Sequence, residues 1–257
     1  VDVSYNKVNG VMKGSYREVI AGDVNLAYRL NTKFLFRNIM SITSNRSDDS
    51  PYGDFSEYAT MNPYFSPYDK SGEITKDNNN PMYNATLNTK RTSGYLEFTN
   101  NFYTEYSILD GLKAVARIGI TSQNSTGDIF YPANHTKFSD WTDDRFLRRG
   151  SYQQNTGKYT NLNGDLTIQY SKTFDKHLLM ANFAFSISEK KNSEVVHYAE
   201  GFPSDRMDDI TFALQYAENK TPYGNESITR DIGFTGVLGY TYDDRFLADL
   251  TIRENAS

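Results

Sequence analysis

The sequence contains no cysteine, so neither a disulfide framework nor a thiolate metal site is available to it. A net charge of -5, without any cluster of lysine and arginine, argues against a nucleic-acid partner. No apolar run approaches the length of about 18 residues that a transmembrane helix needs. No signal peptide is visible at Val1, where the first residues already alternate like a strand. These absences exclude disulfide-stabilised, DNA-binding and helical membrane proteins.

Aromatic residues, by contrast, are abundant: the chain has 20 tyrosines and 16 phenylalanines. Both favour β-strands, and tyrosine suits a surface that meets lipid on one side and water on the other. A mean hydropathy of -0.65 is too polar for a helical membrane protein. It is compatible with a membrane β-barrel, because each strand of a barrel needs only one apolar face.

Alternation of apolar and polar residues with a period of two runs through most of the chain. In one stretch, Leu112, Ala114, Ala116, Ile118 and Ile120 alternate with residues that include lysine, arginine and threonine. Successive side chains of a strand point to opposite faces, so such a stretch has one apolar and one polar face. Nine strands are predicted in this way, at residues 1–8, 15–30, 33–46, 90–109, 112–123, 158–174, 177–191, 228–242 and 246–254.

The connections between these strands alternate in length. Four are short and carry Asn, Asp or Gly, which tolerate the dihedral angles of hairpin turns: residues 30–33, 109–111, 174–177 and 242–245. Three are long and polar: residues 47–88, 124–157 and 192–227. A membrane barrel has this arrangement, with short periplasmic turns and long extracellular loops. The predicted fold class is therefore all-β, an antiparallel meander forming part of a transmembrane β-barrel.

Bacterial barrels of this kind close with an even number of strands, and nine is odd. An open sheet with one lipid-facing side is not expected to be stable alone in water. We therefore expect residues 1–257 to be part of a longer barrel. On its polar face we expect Glu97, Arg117, Asp165 and Gln169 to point into the lumen.

Several segments resemble SusC/RagA-type TonB-linked outer-membrane proteins of Bacteroidetes, and their order along the chain is that of the family. The segments are SPYGDF at 50–55, NPYFSPYD at 62–69, NPMYN at 80–84, ILDGLK at 108–113, AEGFP at 199–203, YTYDDRFL at 240–247 and RENAS at 253–257. Together they cover essentially the whole chain.

The resemblance implies a TonB-dependent nutrient importer with a 22-stranded barrel, of which this chain is a partial barrel domain. The family's N-terminal plug domain and TonB box are not in these 257 residues. The resemblance further implies an oligosaccharide or peptide ligand, a SusD-like surface lipoprotein as a lid, energy supplied through the TonB complex, and contact with outer-membrane lipid. It implies no cofactor.

Aromatic residues in the long loops are the candidate ligand contacts, because their faces can stack on sugar rings. They are Tyr64, Phe65, Tyr68, Tyr131 and Trp141. Burial as loop anchors is the alternative role for each of them. One helix is predicted in the third long loop, over 205–217, capped by Ser204 and with Met207, Ile210, Leu214 and Ala217 on one face.

No motif for catalysis or metal binding accompanies these aromatics. His135, His177 and His197 have no paired spacing and are interpreted as ordinary polar residues of loops and a turn. No GxSxG elbow is present, and the chain is predicted not to be an enzyme. The alternative function is a soluble, extracellular all-β carbohydrate-binding or adhesion module. Aromatic girdles at both strand ends would favour the barrel, whereas an apolar face buried against a second sheet would favour the module.

Overall fold

The computed structural model describes residues 1–76 and 79–257, without the side chains of residues 57, 58, 143 and 144. The strands are β1 Asp2–Asn9, β2 Tyr16–Arg29, β3 Phe34–Asp48, β4 Lys90–Leu109, β5 Leu112–Tyr131, β6 Ser151–Phe174, β7 His177–Glu200, β8 Gln215–Tyr216, β9 Tyr223–Tyr242 and β10 Phe246–Ala256. Two short helices, α1 Phe55–Thr60 and α2 Pro81–Asn84, lie between β3 and β4. All pairings are antiparallel and follow chain order, with β8 adding to the end of β7.

The nine predicted strands are all present, and four of them extend five or more residues beyond their predicted bounds. β5 continues to Tyr131, β6 starts at Ser151, β7 continues to Glu200 and β9 starts at Tyr223. These extensions are mostly polar, so the apolar alternation that marks a strand stops before the backbone ladder does. The three long loops consequently shrink to residues 49–89, 132–150 and 201–222, here named the first, second and third loops.

The four short turns use residues that accept positive φ. Gly111 has a φ of 81°, Asp175 a φ of 53°, and the adjacent Asp243 and Asp244 have φ of 50° and 53°. Two consecutive positive φ values match the right-handed twist of the strands that the turn joins. In the turn after β2, the side chain of Asn31 accepts hydrogen bonds from the backbone N–H groups of Lys33 and Phe34. Because the strands are antiparallel and pair in chain order, the four short turns lie at one end of the sheet and the three long loops at the other.

The sheet is inside-out compared with a soluble protein. On the apolar face, Ile118 and Phe183 are 56% and 46% exposed. On the polar face, the carboxylates of Glu105 and Asp165 are only 22% and 24% exposed. Asp165 accepts a 2.7 Å hydrogen bond from Arg117, which lies directly across from it. Exposed apolar side chains on one face and ion pairs on the other are what a membrane barrel requires.

Register also shows that the strands are tilted. Phe34, at the start of β3, lies in one row with Tyr106, Ala114, Ile168 and Phe183. β7 nevertheless begins six residues before Phe183, at His177. Six residues rise about 20 Å, and the four steps from β3 to β7 span about 19 Å. In a barrel, the turns that precede β3 and β7 lie at the same height along the axis. This offset therefore implies that the strands tilt from the barrel axis by roughly 45°, the upper end of the usual range.

The two limits of the apolar band differ. At the turn end, aromatic rings pair across strands: Phe34 stacks on Tyr106 at 4.1 Å, and Tyr242 lies 4.9 Å from the His177 ring. Toward the loop end, the same face of β7 and β9 carries the ion pairs Glu189–Arg230 and Lys191–Glu226. An aromatic girdle thus marks the turn end, whereas charged pairs mark the upper limit of the band on these strands.

The predicted helix over 205–217 is wrong. This segment contains one 3₁₀ turn, Ile210–Phe212, followed by β8. Asp209 caps the turn by accepting a 2.9 Å hydrogen bond from the Thr211 N–H. Ile210 and Ala213 pack on a buried cluster formed mainly by strand residues, and a spacing of three satisfies a 3₁₀ turn as well as an α-helix.

No helix among the described residues is both long and apolar enough to cross a membrane.

Phe183→Arg and Ile118→Arg test the assignment of the faces. A charge on the lipid face near mid-bilayer costs about 2–4 kcal/mol, so each variant is expected to reduce the heat-modifiable folded protein recovered from outer membranes. Gln169→Arg on the polar face is the matched control and should insert normally. Equal losses for both faces would contradict the assignment.

Candidate functional site

The three long loops and the turn between β1 and β2 form one connected layer at the end of the sheet. Ser50 Oγ donates a 2.7 Å hydrogen bond to the Lys13 carbonyl, which joins the first loop to the β1–β2 turn. Asn134 Nδ2 donates a 2.8 Å bond to Asp205, which joins the second loop to the third. The backbone N–H of Gly201 also donates to the Gly150 carbonyl at 3.1 Å. The loops therefore support one another.

A reciprocal amide contact fixes the first loop to the second. Asn84, the last residue of α2, donates through Nδ2 to Thr136 Oγ1 at 2.7 Å and accepts from the Thr136 N–H at 3.1 Å. Both side chains are buried, so the bonds avoid a large desolvation cost. Asn80, which is fully buried, caps α2 and donates to the carbonyls of Pro67 and Thr75.

The third loop is anchored on the face of the sheet that carries the apolar side chains. One row of paired residues at the loop end of this face consists of Phe130, Tyr152 and Ala199. Phe202 of the third loop packs edge-on against Phe130, with the ring centres 5.0 Å apart. All four residues are at most 4% exposed. Glu200 reinforces this anchor, because its carboxylate, 6% exposed, accepts hydrogen bonds from Arg148 and Gln215.

Three of the five predicted ligand contacts come together. Tyr64, Phe65 and Tyr68 line an open cavity of about 530 Å³ in the first loop. Tyr64 is 94% exposed, as expected for a ring that contacts ligand rather than a core. The turn after Tyr68 is ordered by Asp69, whose Oδ1 accepts hydrogen bonds from the Ser71 hydroxyl and from the N–H groups of Glu73 and Ser71. These bonds, that of the Ser71 hydroxyl first, lower the pKa of Asp69.

Tyr131 lines a second cavity, of about 580 Å³, between the first and second loops. It is the last residue of β5, not a loop residue as predicted, and lies on the polar face of the sheet. Its ring meets His135 edge-on at 4.8 Å, and Lys137 Nζ lies 4.4 Å from its centre. Met61 lines both cavities, so the two are neighbours and are together named the cleft.

Trp141 has a different position. Its ring packs edge-on at 5.0 Å on Phe138, which is only 2% exposed, and it lines neither cavity. An anchoring role fits this position better than ligand contact. The five residues stay predictions as ligand contacts, and the geometry favours the four tyrosine and phenylalanine side chains.

Charged groups missed in the sequence complete the cleft. Arg91, Lys137 and Asp140 line the second cavity beside Tyr131. Arg91 pairs with Asp54 at 3.2 Å and Asp49 at 3.7 Å, and its buried Nε has no partner in the described part of the chain. These charged residues come from β4, the first loop and the second loop, which are far apart in sequence. Their spacing in the sequence therefore did not indicate the site.

His135 also differs from its interpretation as an ordinary polar residue. Burial, reinforced by the charges of Lys137 and Lys76, lowers the pKa of His135 to about 4. His135 is neutral at pH 7, and its Nδ1 accepts a hydrogen bond from the Lys137 N–H. His177 begins β7, and His197 lies within β7 and not in a loop.

Aromatic faces, cationic groups and amides surround an open, polar space, and among the described residues no group of three His, Asp or Glu side chains could hold a metal ion.

In fold, the chain is similar to the RagAB peptide transporter, with a TM-score of 0.78 and 17% identity over 98% of this chain and 29% of that chain. It is similarly related to the RagAB peptide importer in its closed-closed state, with a TM-score of 0.74 and 17% identity over 94% of this chain and 28% of that one. FpvA of P. aeruginosa, solved with heterologous pyoverdines, gives a TM-score of 0.56 at 14% identity, over 98% of this chain and 32% of FpvA. No protein-family model and no curated protein matches the sequence.

The chain has the fold of a TonB-dependent transporter barrel. Its meander superposes on part of such a barrel, and the chain spans less than a third of each of these three structures. The resemblance to SusC/RagA-type proteins is thereby confirmed in fold.

The depressed pKa of His135 predicts a loss of loop stability in acid. The folded loop binds a proton less readily than the unfolded loop, so the stabilisation is complete above the ordinary pKa of 6.5 and is lost as pH falls through about 4. Hydrogen exchange at the Lys137 and Phe138 amides, corrected for its intrinsic pH dependence, should accelerate across this window. His135→Asn keeps a cap acceptor without a titrating group, and it should abolish the effect. A persistent pH dependence in His135→Asn would assign it to another group.

Proposed function

We propose that this chain is a segment of the barrel of an outer-membrane, TonB-dependent importer that brings an oligosaccharide or peptide nutrient into the cell. The observation that carries the proposal is the two-sided sheet, in which Ile118 and Phe183 are exposed on one face and ion pairs such as Arg117–Asp165 lie on the other. The fold likeness to RagAB, described as a peptide transporter, supports it. The function is transport and not catalysis.

The soluble binding module is the weaker alternative. Such a module would bury the apolar face of its sheet against a second layer. In the described part of the chain, the apolar face of β2 to β10 is covered only near the loop end, where Phe202 packs on Phe130 and Tyr152. Exposed isoleucine and phenylalanine over several strands would make a soluble protein aggregate.

The proposal includes further components of the whole importer. The remaining barrel strands would remove the sheet edges, and a plug domain with a TonB box would couple the barrel to the TonB complex. A SusD-like surface lipoprotein would lie over the loop layer as a lid. The cleft lined by Tyr64, Tyr68 and Tyr131 opens in this layer, where a ligand passed from such a lid would first meet the barrel.

Cell fractionation of the full-length protein tests the localisation. Recovery in the outer-membrane fraction, with a folded band that shifts on boiling, is the expected result. A protein found entirely in the periplasm or the culture medium would overturn the importer and favour the soluble module.

A paired substitution tests the aromatic cavity. Tyr64→Ala combined with Tyr68→Ala removes two rings that stack on ligand, and affinity for the imported ligand should fall about tenfold. Tyr223→Ala, which removes an exposed tyrosine outside both cavities, is the matched control and should bind normally. Binding by the full-length protein can be measured by calorimetry. Unchanged affinity in the double variant would remove these rings from the site.

A further inference from the structure

Four basic side chains from the three loops lie at the loop end of the sheet, two of them on rings of its polar face. This cation cluster consists of Lys76 from the first loop, Lys137 and Arg149 from the second, and Lys220 from the third. Among the described side chains, none of the four has a carboxylate oxygen within 4.0 Å. Nearby Arg91 and Arg148, in contrast, are each held by two carboxylates.

Aromatic rings hold the cations instead. Lys137 Nζ lies 4.4 Å from the centre of the Tyr131 ring, and Lys220 Nζ lies 4.1 Å from that of Tyr198. The guanidinium of Arg149 lies 3.9 Å from the Phe146 ring. A cation–π contact positions a cation but leaves its net charge intact. The positive charge therefore remains available to another anion.

Strand register brings the two lysines to the same place. Tyr131 pairs with Ser151, which pairs with Glu200, and Tyr198 lies two residues from Glu200 on β7. Tyr131 and Tyr198 thus share the polar face, two strands apart and offset by two residues along the strand, a separation of roughly 12 Å. An anion between these rings can be reached by Lys137 from one side and by Lys220 from the other.

The charges influence one another, as expected of a shared site. Desolvation and the charge of Lys220 lower the pKa of Lys137, and desolvation and the charge of Arg149 lower that of Lys76. Two carboxylates oppose the cluster. Asp140 lines the cavity with Lys137, and Asp205, which accepts from Asn134, lies on the side of Lys76. With His135 neutral, and with Arg91 and Arg148 counted together with their four carboxylates, six positive charges face six negative ones. The cluster therefore differs from its surroundings in lacking ion-pair partners and not in net charge.

We propose that the cation cluster binds the carboxylate groups of an acidic ligand at the mouth of the barrel, with Lys137 and Lys220 as its principal contacts. The proposal deepens the import function and rests on it. The carboxylate would accept hydrogen bonds from the two ammonium groups, while Tyr131 and Tyr198 contact the carbon skeleton that carries it. An acidic peptide and a uronic-acid oligosaccharide both present this chemistry.

Binding to the full-length protein in outer-membrane vesicles tests the proposal with two pairs of probes. An oligoglutamate peptide is compared with its oligoglutamine counterpart, and an oligogalacturonate is compared with its neutral methyl ester. At least one acidic probe should bind about tenfold or more tightly than its neutral partner, and the preferred pair identifies the source of the carboxylate. This preference should shrink between about 50 mM and about 500 mM salt.

Lys137→Gln combined with Lys220→Gln should abolish the preference for the acidic over the neutral probe, together with its salt dependence. Lys70→Gln, an exposed lysine of the first loop that lines neither cavity, is the matched control. The heat-modifiable band of each variant verifies that the barrel is folded. Should the double variant fold poorly, Lys220→Gln alone should at least halve the preference.

The two levels of the proposal fail differently. Equal binding of acidic and neutral probes, or a preference retained in the double variant, would falsify the anion site and leave the importer intact. A full-length protein that is absent from the outer membrane would overturn the importer itself, whatever its preference for anions.

Discussion

Backbone hydrogen bonding between neighbouring strands is the constraint on which this structure depends. In lipid, an unpaired N–H or C=O group costs several kcal/mol, so each spanning strand must be paired along both sides. β6 and β7 meet this demand through an unbroken register from Ser151 opposite Glu200 to Phe174 opposite His177. Because the ladder satisfies the backbone, side chains on one face can be apolar while those on the other carry charge, which explains a membrane sheet with a mean hydropathy of -0.65.

The same constraint decides how much of the fold could be read from the sequence. Lipid demands apolar side chains at every second position, so the central part of each strand, with residues such as Ile118 and Phe183, was predictable. Beyond the lipid both faces meet water or loops, and β6 begins at Ser151, several residues before any alternation. The short helix α2 has an Asn80–Pro81 start signal, but its four residues are too few for helical periodicity to show.

The site was predictable only where its residues are neighbours in sequence. The three rings of Tyr64, Phe65 and Tyr68 fall within one turn-rich segment. The prediction of that segment as a ligand contact therefore already contained the rings that line the first cavity. Trp141 shows the limit of that reasoning, because residue type alone does not distinguish a ring packed on Phe138 from a ring exposed to ligand. Lys137 and Lys220 are 83 positions apart, and only the register that places Tyr131 two strands from Tyr198 on one face brings them near each other.

Strand length connects the barrel to the design of its loop layer. The 24 residues of β6 extend about 80 Å, which at a tilt of roughly 45° gives about 55 Å along the membrane normal, against a hydrocarbon thickness of about 30 Å. The loops therefore stand clear of the lipid and must hold themselves together in water. They do so mainly with buried polar contacts, such as Asn84 with Thr136 and Glu200 with Arg148. Such directional contacts fix the spacing between loops, so the cations at their junction can stay close together without carboxylate partners.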